Sequence, residues 1–336
     1  MSCSQHSGGH VTQLQGRRRL LQAGFFLLFV LAPALDLFRI DVTQAHVIVF
    51  GQVWSLGISH LMTGESSGAQ AVLNLVLRGL LPLAVLVGGF GWIAWRYGRL
   101  YCGWLCPHFS VVEMINGLMR RASAKPSVWE KHVLPSTRAD GSALPLNKQY
   151  WWLVALAVPG FAFLWAFVLL TYLLPPQEIY ANLSQLSFTR NQTIFLSAAT
   201  TVLTLEFLLA RHLFCRFGCA VGVFQSLVWM ANKRGLVVGF DRQRAAACRT
   251  CATHCEHVCP MRLKPRSIKR HMFTCTECGQ CIAACEQVQA AQHPGSPSLL
   301  QWVQDECALD VSARDFGHRP TIPPDCYQRQ RTEHDA

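Results

Sequence analysis

Eight cysteines fall between Cys248 and Cys285 in two runs. The second, Cys275-x2-Cys278-x2-Cys281-x3-Cys285, has the spacing of a bacterial [4Fe–4S] ligand run. The first, Cys248-x2-Cys251-x3-Cys255-x3-Cys259-Pro260, carries one residue more. Three thiolates on a tight loop hold three corners of a cubane, and the fourth, leading into a helix, reaches the neighbouring cluster. That crossover assigns Cys248, Cys251, Cys255 and Cys285 to one cluster, and Cys275, Cys278, Cys281 and Cys259 to the other. The chemistry is one-electron transfer. Paired C-x2-C runs also build zinc ribbons, but a third and fourth cysteine at these offsets, followed by Pro260, fit cubanes better.

Two further pairs lie upstream. Arg99-Leu-Tyr-Cys102-Gly-Trp-Leu-Cys106-Pro107 and His212-Leu-Phe-Cys215-Arg-Phe-Gly-Cys219-Ala220 share a basic residue, Leu, an aromatic and C-x3-C. In helical backbone a C-x3-C pair puts both thiols on one face. Cys102, Cys106, Cys215 and Cys219 are therefore candidate ligands of one metal site. A third cluster, a copper or zinc ion, and a reversible dithiol all suit them, and soft thiolates favour Cu(I). Small cysteines that merely let helices pack are the plainer alternative.

These sulfurs need a scaffold, and the composition names its surroundings. The chain is 51% hydrophobic and 15% charged, which points to a membrane protein rather than a soluble globule. Leu20–Phe38, Gly79–Tyr97, Trp151–Leu174 and Thr193–Phe214 are apolar and approach or reach the 17–25 residues or so that a spanning helix needs. Val47–Ser59 is shorter and reads as an interfacial or re-entrant piece. Arg17, Arg18 and Arg19 before the first stretch place the N-terminus in the cytoplasm by the positive-inside rule, and no cleavage site follows to make it a signal peptide. The basic segment 98–150 falls on the same side with four helices. The net charge of +11 then reflects orientation in a bilayer, not nucleic-acid binding. Cysteines in cluster-ligand spacing fit a reducing compartment.

The expected fold is mainly α. It is a polytopic helical bundle of about four transmembrane helices with a cytoplasmic, ferredoxin-like α+β domain holding two [4Fe–4S] clusters. Its parts are a polar N-terminal tail (1–19), which includes Cys3, His6 and His10, and a first transmembrane hairpin (20–97) with an outer segment at 39–78. A basic cytoplasmic loop (98–150) and a second hairpin (151–214) follow. The second CxxxC and a connecting helix (215–239), the two-cluster domain (240–288) and a polar C-terminal tail (289–336) complete it. Glu206 lies at the inner boundary of the last span, where it can snorkel to the interface. His46 and His60 flank the short apolar piece and could touch a quinone or haem. Arg262, Lys264, Arg266, Lys269 and Arg270, between the two cysteine runs, would raise a cluster's potential or face anionic lipid. Cys307 and Cys326 lack motif spacing.

The element Gly98–Pro107 resembles the C-G-x-x-C-P segment of membrane polyferredoxins, including the NapH and NosR maturation proteins. Phe214 to Cys219, Phe224-Gln225-Ser226 and Val237–Asp241 are more similar to the CcoG/RdxA/FixG branch. The likeness covers roughly residues 17–288. It implies an electron carrier of the bacterial inner membrane that serves a respiratory chain or assembly of cbb3-type cytochrome oxidase, with copper reduction as the candidate reaction. The implied partners are the lipid bilayer, a redox partner protein or quinone, and oxidase assembly factors or copper. Quinone-linked delivery to a partner reductase subunit and a redox-sensing membrane regulator are the alternatives. Ala220 stands where the family has proline. The extra residue in the first run puts His254 at the third ligand position, beside Cys255. The chain ends at Ala336 without the immunoglobulin-like domain of the FixG branch, so no function resting on that domain is expected.

Overall fold

The computed structural model describes residues 7–43, 46–56, 67–128, 130, 133–135, 137–139, 141–249, 251–293 and 295–313. In chain order, α1 spans Ser7–Leu31, followed by strands β1 (Phe38–Asp41), β2 (His46–Val49) and β3 (Gln52–Trp54). α2 runs over Gly68–Tyr97 with a π-helical stretch at Leu75–Leu80. α3 (Leu100–Trp104) and α4 (Pro107–Ser123) come before the long α5 (Tyr150–Leu173). α6 (Pro176–Gln185) leads to α7 (Arg190–Ala210), whose last turns, Glu206–Ala210, are π-helical. A π-helical turn at Phe214–Gly218 precedes α8 (Ala220–Ala231). The remainder is β4 (Val237–Phe240), α9 (His254–His257), α10 (Gln280–Gln292), β5 (Leu300–Val303) and α11 (Asp305–Ala313). The chain divides into two compact units, one of residues 24–92 and 155–208, the other of residues 1–23, 93–154 and 209–336.

Three helices, α2, α5 and α7, are long and apolar enough to cross a bilayer. Large apolar side chains such as Val85, Leu86, Leu156 and Val202 are exposed on them. Such surface is stable in lipid and unfavourable in water. The first expected span differs. α1 starts at Ser7 and stops at Leu31, just before Pro33, and is not among these three. α1 is also helical from Ser7, through most of the expected tail.

In the first unit, the described part of Val47–Ser59, residues 47–56, holds strand. His46–Val49 and Gln52–Trp54 pair antiparallel around Phe50-Gly51, both at positive φ, and β1 completes a three-stranded meander. A two-residue turn of this hand matches strand twist. Phe29 stacks on Trp165 and Tyr172 at centroid distances of 4.6 and 5.4 Å, and Tyr172 Oη donates to the Phe29 carbonyl at 2.9 Å. His60 lies outside the described residues, as do Cys3, His6 and Cys326.

The second unit carries every motif cysteine. Its core gathers Phe109, Trp229, Val237, Met261, Met272 and Val303 around Cys215, with Cys106, Cys259 and Cys275 packed against them. β4 pairs antiparallel with β5, Val237 opposite Val303. β5 and α11 come from the segment expected as a polar tail, and they close the cysteine-bearing region from outside 240–288. Cys307, in α11, is disulfide-bonded.

Lys269, expected beside a cluster or facing anionic lipid, does not face outward. It is buried, donates to the carbonyls of Trp229 (3.1 Å) and Asn232 (2.5 Å), and lies 4.4 Å from the Trp229 ring centroid. A cation at the carbonyl end of α8 satisfies groups that the helix leaves unpaired. Lys269→Ala is expected to destabilise the protein by roughly 2–4 kcal/mol in chemical denaturation. A change within about 0.5 kcal/mol, typical of a surface site, would return Lys269 to the solvated face.

Candidate metal centres

Two cavities are each lined by four cysteines. Cys248, Cys251, Cys255 and Cys285 face one of about 360 Å³, walled by Phe240, Val288 and Leu300. Cys259, Cys275, Cys278 and Cys281 face the other, of about 400 Å³, walled by Val238, Met261 and Met272. Each cavity draws three sulfurs from one run and the fourth from the other. His254 also lines the first cavity, so both it and the buried Cys255 reach it.

Local backbone explains how short runs surround a space. Glu277 (φ 48°) and Gly279 (φ 70°) are left-handed, so the chain winds back on itself between Cys275 and Cys281. At Gly279 a Cβ would come within 2.9 Å of the Trp302 ring, so glycine is required there twice over. Trp302, on β5, donates its indole N–H to the Glu277 carboxylate at 3.1 Å. The Leu263 amide donates to Cys259 Sγ at 3.4 Å, and hydrogen bonds to sulfur tune a cluster's potential.

Burial dominates the electrostatics. It pushes the Cys278 thiol up to about 11 and that of Cys255 to about 12, and it holds Cys275 and Cys281 well above the ordinary range. These thiols stay protonated at neutral pH unless a metal centre compensates the thiolate charge, so loading must release protons. The apolar walls and four-sulfur linings fit a [4Fe–4S] cluster in each cavity. Zinc would draw its donors to about 2.0–2.3 Å of one point. Among the described residues no three His, Cys, Asp or Glu side chains converge in that way.

The two CxxxC pairs are built alike. Cys102 and Cys215 are buried in short helical turns, and Cys106 and Cys219 are the extended N-caps of α4 and α8. Charge on Cys219 raises both Cys102 and Cys106, after burial, which carries Cys106 to about 11. Arg99, fully buried, donates from Nη2 to the Cys215 carbonyl at 2.5 Å, with Cys102 Sγ at 3.9 Å. Gln225 Nε2 donates to Cys102 Sγ at 3.4 Å. His212, the counterpart of Arg99, packs on Phe109 and pairs with Asn116 at 3.3 Å, and burial lowers it to about 3.

The first CxxxC turn is docked onto the Cys275–Cys278 loop. A Cβ on Gly103 would lie 2.1 Å from the Thr276 carbonyl oxygen, and Trp104 Nε1 donates to the Glu277 carbonyl at 2.9 Å. Arg18 and Gln22 donate to the Gly103 carbonyl at 2.9 and 3.1 Å, while Gln15 reaches the Cys278 carbonyl at 3.0 Å. Arg18 also pairs with Glu113, which accepts from Gln280. Arg18 is thus a buried clamp as well as part of a basic run, and nothing in its local sequence marks that role.

The 4Fe-4S binding domain family (Fer4_5) matches residues 79–126 and 191–236. Each stretch contains one CxxxC pair. The chain is 23% identical over 226 residues to a protein provisionally named as the electron transport protein YccM of Escherichia coli (strain K12). That alignment covers 67% of this chain and 56% of the relative, so the chain spans little more than half of that protein's length. No solved structure matches. These similarities support a membrane-type ferredoxin family and an iron–sulfur electron-transfer role.

His254 and Cys255 both line the Cys248 cavity, so a substitution pair separates them. Cys255→Ser is expected to lose about four iron per chain, and His254→Ala to keep them. The opposite pattern in iron analysis would make His254 the ligand.

Proposed function

We propose that the protein is an integral membrane electron carrier with one [4Fe–4S] cluster on Cys248, Cys251, Cys255 and Cys285 and a second on Cys275, Cys278, Cys281 and Cys259. The observation that carries this reading is the pair of four-cysteine cavities that mix the two runs. When bound, such clusters accept and release one electron each. The chain's own residues exclude water with Met261, Met272 and Leu300, donate to sulfur from the Leu263 amide, and set Arg266 against the Cys248 cavity. Arg266 is itself held by Glu256 at 2.6 Å.

The segment 98–149 and the region after Ala210 share one side of the membrane in this reading, because α5 and α7 cross and return between them. The positive-inside rule makes that side the cytoplasm of a bacterial inner membrane. The four sulfurs of the CxxxC pairs, those of Cys102 and Cys215 buried, are read as a further metal or redox site on that side. Their soft donors favour service to a metalloenzyme, with a thiophilic metal such as the copper of a cytochrome oxidase as the acceptor, over a plain conduit to quinone.

Anaerobically purified protein is expected to be brown and to hold about eight iron and eight acid-labile sulfide per chain. Stoichiometric zinc without sulfide would end the electron-transfer reading.

A further inference from the structure

Every exposed residue of α8 is apolar. Val221, Phe224 and Leu227 are exposed at spacings that put them on one helix face. The polar side chains Gln225 and Ser226 are instead buried, together with Trp229. Phe214 and Phe217, in the turn before α8, are exposed as well. This pattern is inverted for a helix at a protein–water surface. The first CxxxC repeat does not share it. Two and five residues after its second cysteine, His108 and Val111 are buried, where the second repeat exposes Val221 and Phe224.

We propose that this face of α8 is seated in the lipid leaflet on the side of the membrane that carries the cysteine cavities. The inference rests on reading the chain as an integral membrane protein. α8 begins ten residues after α7 ends at Ala210, which keeps it within reach of the bilayer surface. Its 12 residues cover about 18 Å. That is too short to cross about 30 Å of hydrocarbon, but it suits a helix lying along the edge. Residues 207–240 contain no Asp or Glu, and Arg211, Arg216, Lys233 and Arg234 stand toward the two ends of the apolar face. Cations so placed are drawn to anionic headgroups. Arg216 lies 5.0 Å from the Phe217 ring centroid, a pairing that holds a guanidinium at headgroup level with the ring below it. Arg211 and Arg234 also keep pairs with Glu130 at 3.5 Å and with the exposed Glu306 at 2.9 Å. On its buried face, α8 donates from Gln225 Nε2 to Cys102 Sγ at 3.4 Å. Lipid then comes within roughly one helix diameter of that sulfur.

The test uses the full chain, purified anaerobically and reconstituted in vesicles of phosphatidylethanolamine and phosphatidylglycerol, with a photoactivated diazirine confined to the acyl chains. Trypsin cuts after Arg216 and Lys233, which isolates α8 in the peptide 217–233, while most of α4 falls in 100–120 and all of α5 in 149–190. Mass spectrometry is expected to find label in 217–233 as in 149–190, and little in 100–120. Phe217→Gln with Phe224→Gln is expected to lower the label in 217–233 at least about tenfold, the scale set by two large apolar side chains leaving lipid. Val221→Gln with Leu227→Gln repeats the measurement should the first pair fail to accumulate. Label in 149–190 without label in 217–233 would overturn the proposal, and so would label that both pairs leave unchanged. Label that fades as the chain-to-lipid ratio rises would also overturn it and assign the face to a second copy. Absence of label from 149–190 as well would overturn the membrane reading itself. Iron and sulfide content, read on the same samples, reports separately on the clusters.

Discussion

Four sulfurs must face one enclosed space, and neither cysteine run supplies all four. The rest of the second unit follows from that exchange. Cys259 leaves the first run to join Cys275, Cys278 and Cys281, while Cys285 leaves the second to join Cys248, Cys251 and Cys255. For both transfers to occur, α9 and α10 must pack side by side, and the β4–β5 ladder must close over them with Val238 and Leu300. The cost is thiols taken wholly or partly out of water, several with pKa values driven far up by burial. A metal centre offsets that cost, which ties folding of the region to loading.

The CxxxC pairs extend the same logic. They are duplicated, Cys102 and Cys215 are buried, and among the described residues no carboxylate pairs with the Arg99 beside Cys102. Gly103 and Trp104 dock the first pair on the loop that carries Cys275 and Cys278, and Cys106, Cys215, Cys259 and Cys275 share one apolar core. The arrangement puts the CxxxC site beside the Cys275 cavity. A second cluster of buried residues, around Val238 and Leu300, holds Cys255 from one cavity and Cys281 from the other.

What was legible in the sequence was local. Spacing alone named the eight cysteines that line the two cavities and the likeness of the two CxxxC elements, because a ligand loop and a helical turn are set by near neighbours. Apolar length alone marked the three helices that suit a bilayer. The misses are all long-range. Strand β5 lies in a Pro-rich stretch that resembles a tail, and only its partner β4, more than fifty residues earlier, makes it a strand. Arg18 and Lys269 stand in basic runs, yet both are buried against carbonyls supplied by distant turns. Val47–Ser59 gave an apolar run too short to settle its period, and the Phe50-Gly51 turn settled it as strand.

The exchange of Cys259 and Cys285 can be measured directly. Electron paramagnetic resonance spectra of reduced Cys251→Ala and Cys278→Ala proteins supply references for the loss of each cluster. The account predicts that the spectrum of Cys285→Ala matches Cys251→Ala, and that of Cys259→Ala matches Cys278→Ala. A Cys285→Ala spectrum matching Cys278→Ala, with each run keeping its own four sulfurs, would contradict it.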